Sequence, residues 1–298
     1  MNPSLSLDLG GDVSQLFAFP FMVNALEAAT IVAVLAAVVG WFMVLRRQSF
    51  AGHTLSVMAF PGAAGAGLIG FPAALGYYAA CGLAALAMGR AKPPSGRAYA
   101  AESALIGTVQ ALGLGLGFLF VSLNQAVLTG LETLLFGTFL GISRSQVVGL
   151  LLVALGTLAV LALIGRPLLF ATVDPEVARA RGVPVKALDV AFMLLLAVAV
   201  AATSQITGAL LVFTLLVAPP ACALQITPRP VLGLALSVGF ALLIAWLGLG
   251  IAYFSIYPSG FFITAFGFGL YALIRAARWA IAHRPRGVDA VPRATAGA

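Results

Sequence analysis

The chain has 298 residues, of which 62% are hydrophobic and 8% charged, and its mean hydropathy is +1.09. A soluble domain carries about a quarter charged residues, so this composition could not clothe a water-facing surface of that size, and lipid must be the main solvent. The formal net charge of +7 does not imply a nucleic-acid partner, because no soluble domain is available to display a basic groove.

Residues 1–15 contain Asp8 and Asp12 but no Lys or Arg, and so lack the basic start of a cleavable signal peptide. A membrane-spanning helix needs about 20 apolar residues, with about 17–25 tolerated. Nine segments meet that need: 19–45, 55–71, 73–89, 104–123, 147–164, 188–203, 207–224, 231–253 and 260–281. Strand alternation with polar turns does not recur, which argues against a β-barrel. The fold class read from the sequence is therefore all-α, a polytopic membrane helix bundle of about nine transmembrane helices. It divides into an extracytoplasmic N-terminal segment (1–18), a permeating bundle (19–283) and a disordered basic tail (284–298).

The first span carries Asn24 and Glu27 near its start and ends at Arg46-Arg47. The second opens after His53 and contains Pro61 within a run of Ala and Gly from 59 to 67. Proline removes a backbone donor and is expected to kink or unwind the helix, and the small residues let neighbouring backbones approach. Such breaks are packing kinks or, in transporters, marks of the substrate path. The stretch 127–141 holds Glu132 and several glycines and reads as a re-entrant or interfacial helix; Glu27 and Glu132 are candidates to line an outer vestibule. Between the fifth and sixth spans, Asp174, Pro175 and Gly182 are the N-cap, first residue and C-terminal cap of a short helix. Glu102 and Asp189 stand at helix starts, where a carboxylate favours the N-terminus. The seventh span meets Pro219-Pro220, followed by Ala221 and Arg229; the proline pair is expected to end one helix and begin a compact element.

Fifteen of the sixteen Lys and Arg residues fall at one set of span ends, Arg144 being the exception. Positive charge is retained on the cytoplasmic side, which puts the N-terminus outside and the C-terminus inside. No span carries a row of carboxylates or arginines, as a proton pump or voltage sensor would. There is no phosphate-cradling glycine loop and no nucleophile or zinc-protease motif. The chain reads as a non-enzyme without a cofactor, whose energy comes from elsewhere, for example a partner ATPase. Cys81 and Cys222 share no metal-type spacing and read as buried small side chains. His53 fits two roles, a helix-start or interface residue and a transition-metal ligand.

Four runs carry a resemblance: Arg46-Arg47-Gln48-Ser49-Phe50-Ala51-Gly52-His53-Thr54-Leu55-Ser56 with Pro61-Gly62; Asp174 to Val183 with Lys186; Gly208-Ala209-Leu210-Leu211-Val212 leading to Ala218-Pro219-Pro220-Ala221; and Pro258-Ser259-Gly260. In order and spacing they resemble the membrane subunits of metal-uptake ABC permeases for zinc, manganese or iron. The resemblance implies a type II ABC importer-like permease in the bacterial cell membrane, moving a divalent metal ion, zinc or manganese. It implies a second permease subunit, cytoplasmic ATPase subunits and an extracytoplasmic solute-binding protein. It places ATPase coupling at Pro219, Pro220, Ala221 and Arg229, with Asp174 and Glu176 beside them. His53, Ser56 and Pro61 fall on the transport pathway. The family's Asp and His, one helical turn apart, are here His53 and Val57. The carboxylate is lost, and the remaining imidazole favours zinc over oxygen-seeking manganese. A metal chelate or other small solute as cargo, or a secondary transporter acting alone, are the alternatives.

Overall fold

The computed structural model describes residues 17–90, 98–123, 137 and 141–283, and these are helical with short connections. The helices are α1 (Pro20–Leu45), α2 (Ser49–Leu68), α3 (Ala73–Arg90), α4 (Ala98–Leu123), α5 (Arg144–Val173), α6 (Pro175–Ala180), α7 (Val185–Ile226), α8 (Pro230–Tyr253) and α9 (Ser259–Ala282). Six segments are long and apolar enough to cross a membrane: α1, α5, α8, α9, Ser103–Leu123 of α4 and Val185–Gly208 of α7. Leu211–Ile226 is a shorter apolar helix, and α2 and α3 are diluted by Gly, Ser, His and Tyr. The segment 127–141, apart from Gly137 and Gly141, and the tail 284–298 lie outside the described residues.

Several boundaries depart from the sequence reading. α5 runs on through Arg166 and Pro167 to Val173, and α4 starts at Ala98, so Glu102 is its fifth residue and not its cap. α2 is helical straight through Pro61. Pro219 and Pro220 likewise sit inside α7, which continues to Ile226. A proline costs a helix one hydrogen bond and some steric room, and packing on several sides holds both helices in register across that loss.

α7 is two helices merged across Gly208, whose φ of 75° and ψ of 161° are not helical. Contacts show that the chain reverses there. Asp189, near the start of α7, is ion-paired with Arg46 at the end of α1. Trp41, one turn before that end, lies against Gly233 at the start of α8. α9 runs back antiparallel to α8, and its Arg278 donates to the Gln225 carbonyl near the end of α7. Residues 189 and 225 therefore occupy the same end of the bundle. Only glycine enters this positive-φ region without penalty, so Gly208 makes the reversal possible. The sixth and seventh spans read from the sequence are the two halves of α7. Arg46, Arg90, Arg179 and Arg229 stand at or beside helix ends on this side, while Arg144 stands at the opposite end of α5.

α1 and the first half of α7 form the centre. α1 buries Ala25, Ala28, Ala29, Ala33, Ala36 and Ala37, small residues that let helices approach where lipid provides no hydrophobic drive for association. The periphery is apolar instead: Leu163, Phe268 and Leu273 are exposed to 81%, 72% and 70%, as acyl chains would require. Backbone meets backbone at several places among the described residues, two of them the approach of a helix glycine to a neighbouring helix's carbonyl oxygen. A Cβ on Gly62 would lie 2.2 Å from the Gly76 carbonyl oxygen, and one on Gly76 2.1 Å from that of Gly62. A Cβ on Gly40 would lie 2.1 Å from the Leu216 carbonyl oxygen, which has no helical donor because Pro220 lacks an N–H. These are Cα–H···O contacts, each worth about 0.5–1 kcal/mol. The one at Gly40 gives a partner to an acceptor that Pro220 orphans.

Candidate functional site

α2 carries the sequence-predicted path residues and is enclosed on three sides. Gly62 meets α3, Met58 and Phe60 meet Gly113 and Gly117 of α4, and His53 meets Phe213 of α7. Thr54, fully buried, donates from Oγ1 to Gln110 Oε1 on α4 at 3.0 Å. The fourth side leaves an apolar groove of about 400 Å³ that includes Met58, Pro61, Gly65 and Phe120.

His53 is half-buried, its ring edge-on to Phe213 with centroids 4.9 Å apart, and its Nδ1 is buried without a hydrogen-bond partner. That leaves one ring nitrogen with its donor or acceptor capacity unspent. Ser56 does not join it. Its buried Oγ donates to the His53 carbonyl at 2.7 Å, within its own helix. Pro61 is buried two turns further on and positions backbone, since its missing N–H withdraws the helical donor from the Val57 carbonyl. No group of three or more His, Cys, Asp or Glu able to hold a metal occurs among the described residues. Any metal contact on α2 therefore rests on the His53 imidazole.

At the arginine-rich end, Asp174 caps α6 as its spacing predicts, Oδ1 accepting from the Glu176 and Val177 amides at 3.1 and 3.0 Å. Gly182, at φ 80°, closes the helix: its amide donates to Arg179 and that of Val183 to Ala178, each at 3.0 Å. Ala178 is buried, while Glu176, Val177 and Arg181 face outward. Pro219 and Pro220 are buried, so the exposed part of the expected coupling run is Ile226, Pro228 and Arg229.

Asp189 does not cap α7, whose N-cap is Pro184. It pairs with Arg46, which also donates to Thr172 Oγ1 at 2.9 Å and lies 5.3 Å from the Phe192 ring centroid. The Arg46 and Asp189 side chains are only 6% and 18% exposed, so this pair ties the ends of α1, α5 and α7 at low dielectric. At the opposite end Arg144, the one basic residue off the pattern, pairs with Glu27, while Asn24 donates to the Ile142 carbonyl at 3.2 Å. Glu27 is thus engaged in a surface ion pair. A cavity of about 220 Å³ near this end is lined by Tyr78, Gln146 and Gln205 among apolar neighbours. Sequence reading missed these partners because each lies on a different helix.

Comparison with known proteins places these features. The chain is 31% identical over 242 residues to the manganese transport system membrane protein MntC of Halalkalibacterium halodurans, covering 81% of each. It is 33% identical over 215 residues to the chelated iron transport system membrane protein YfeC of Yersinia pestis, covering 72% of each. Its fold matches a chain of PsaBC from Streptococcus pneumoniae, solved in complex with a Fab, with a TM-score of 0.78 and 26% identity, over 89% of this chain and 95% of that one. Residues 18–277, nearly the whole bundle from α1 to α9, match the ABC 3 transport family, and the chain belongs to that family.

Proposed function

We propose that this chain is the membrane permease subunit of an ATP-driven importer that carries a divalent metal ion, zinc or manganese, across a bacterial cell membrane. The observation that carries the reading is the agreement of the entire bundle with the solved PsaBC chain, supported by relatives that are manganese and chelated-iron transport membrane proteins. The arginine-rich end is cytoplasmic, by the retention of positive charge, and the C-terminus lies on that side.

The chain supplies the gate and not the power. Cytoplasmic ATPase subunits dock on α6, whose outward residues Glu176, Val177 and Arg181 stand on a helix fixed by the Asp174 cap, and on the adjoining turn that carries Arg229. Pro219, Pro220 and Ala221 act behind that surface, as the helix linking the turn to the reversal at Gly208. Two permease subunits enclose the path, and a solute-binding protein delivers cargo at the opposite end. His53 from each subunit then offers a pair of imidazoles across the axis, a donor set suited to zinc. A chelate or other small solute is the second reading. It is favoured by the apolar Val57 one turn from His53 and by the Phe213 ring against His53, a lining that serves a cargo bringing its own ligands. Co-reconstitution with the partner ATPase and binding protein should give ATP-dependent uptake of zinc or manganese. Equal uptake by this chain alone would refute the importer and support a secondary transporter.

A further inference from the structure

A cleft of about 420 Å³ opens at the arginine-rich end, between the last turns of α1 and α5 and the start of α6 and α7. Its polar lining is Arg46, Arg47, Thr172, Arg179 and Asp189, and its apolar lining includes Leu45 and Val185. Arg46 and Asp189 neutralise each other. Arg47 and Arg179 are exposed and make no ion pair or side-chain hydrogen bond among the described residues. The cleft therefore carries two uncommitted guanidinium groups.

The backbone at Arg47 is the second observation. α1 ends in a glycine-type closure: the Arg47 amide donates to the Val44 carbonyl at 3.0 Å and the Gln48 amide to that of Met43 at 2.9 Å. This motif needs its penultimate residue in the left-handed region, where glycine is the usual occupant. Here an arginine holds φ 57°, the one described non-glycine residue at positive φ. Among the described residues its side chain makes no ion pair or hydrogen bond. A strained residue of this kind is a pointer to function.

We propose that this cleft binds the phosphate of an anionic phospholipid headgroup, held between Arg47 and Arg179. The cleft lies at the arginine-rich end, between the ends of the long apolar helices α1 and α5 and the starts of α6 and α7. Leu45 and Val185 line it, and Phe50 and Val173, near its arginines in sequence, are exposed to 44% and 76%. A basic pocket with apolar edges between helix ends matches the junction of a headgroup and its acyl chains. α6 divides its duties accordingly, with Pro175 and Arg179 one turn apart on the cleft side. The assignment to the inner leaflet rests on the cytoplasmic orientation of the arginine-rich end, while headgroup binding itself does not.

The test is native mass spectrometry of the full chain in detergent micelles, titrated with phosphatidylglycerol or phosphatidylcholine. Wild type should retain phosphatidylglycerol selectively. Arg47→Gly and Arg179→Gln should each weaken that retention about five-fold, and about 25-fold together, while Arg229→Gln leaves it unchanged. Arg47→Gly relieves the left-handed position, so its thermal melt in phosphatidylcholine should not fall below wild type. Undiminished phosphatidylglycerol retention by the double variant overturns the proposal. So does equal competition by millimolar inorganic phosphate, which would make the site one for free anion. Loss of ATPase capture with lipid retention unchanged would assign the arginines to an acidic protein surface instead. Because binding is read in micelles, failure of the transport reading leaves this outcome unaffected.

Discussion

His53 presents an unpaired ring nitrogen beside Phe213 in a bundle whose other buried polar side chains are mostly spent on their own helices, as Ser56, Thr203, Thr207 and Ser237 are. On the proposed function that nitrogen serves cargo, so His53→Ala should lower metal uptake while leaving purification with the ATPase and thermal melting near wild type. Unchanged uptake would remove it from the path. Arg46 works differently. It is almost wholly buried with Asp189, and removing one partner of such a pair strands a charge, at a cost of about 3–5 kcal/mol. Arg46→Met alone should destabilise the chain markedly in a detergent melt, and Arg46→Met with Asp189→Leu should recover part of that loss. Equal effects of the single and double variants would mean that loss of Arg46 does not strand the Asp189 charge. The exposed Glu27–Arg144 pair should matter by no more than about 1 kcal/mol.

At the scale of helices, prolines and glycines act together. Pro220 frees the Leu216 carbonyl, and Gly40 on α1 brings a Cα–H to it. Pro61 stands one residue before Gly62, whose backbone meets Gly76 reciprocally. Neither proline interrupts its helix, and both lie where a neighbouring backbone approaches. Gly40→Ala and Gly62→Ala should each destabilise by about 1–3 kcal/mol through overpacking. Gly82→Ala, with open space at its Cβ position, should be neutral or stabilising. Thermal melts of the three variants decide this, and equal melts would show that the close approaches are not energetically important. The proline pair signalled a break in the sequence because proline is costly in an isolated helix. Packing of α7 against its neighbours outweighs that local cost.

For the molecule as a whole, the proposed sidedness and coupling rest on the gathering of positive charge at one end. A thiol introduced as Arg229→Cys should react with an impermeant maleimide only after cells are permeabilised. Cys81 and Cys222 are buried and give little background. Labelling of intact cells would reverse the orientation and remove the docking surface from α6. Val177→Asp on the outward face of α6 should reduce co-purification of the ATPase without lowering the melting temperature. Retained capture would place docking elsewhere, with the exposed Pro228–Pro230 turn the next surface to test.

Hydropathy and the placement of arginines by themselves determined a multi-span helical chain with one basic end. The cap signals of α6 at Asp174, Pro175 and Gly182 were equally legible, because a cap depends on residues within one turn. The family resemblance likewise lay in short runs that survive without knowledge of the fold. Tertiary structure alone decided that Asp189 meets Arg46, that Thr54 meets Gln110, and that His53 lies against Phe213. It also decided that Gly208 turns the chain back and that Pro219 and Pro220 do not break it. The reason is physical: a span's periodicity reports its solvent, and in lipid nearly every face is apolar. Which faces meet is then settled by close contacts between residues on different helices, up to 216 positions apart, and no single helix contains that information.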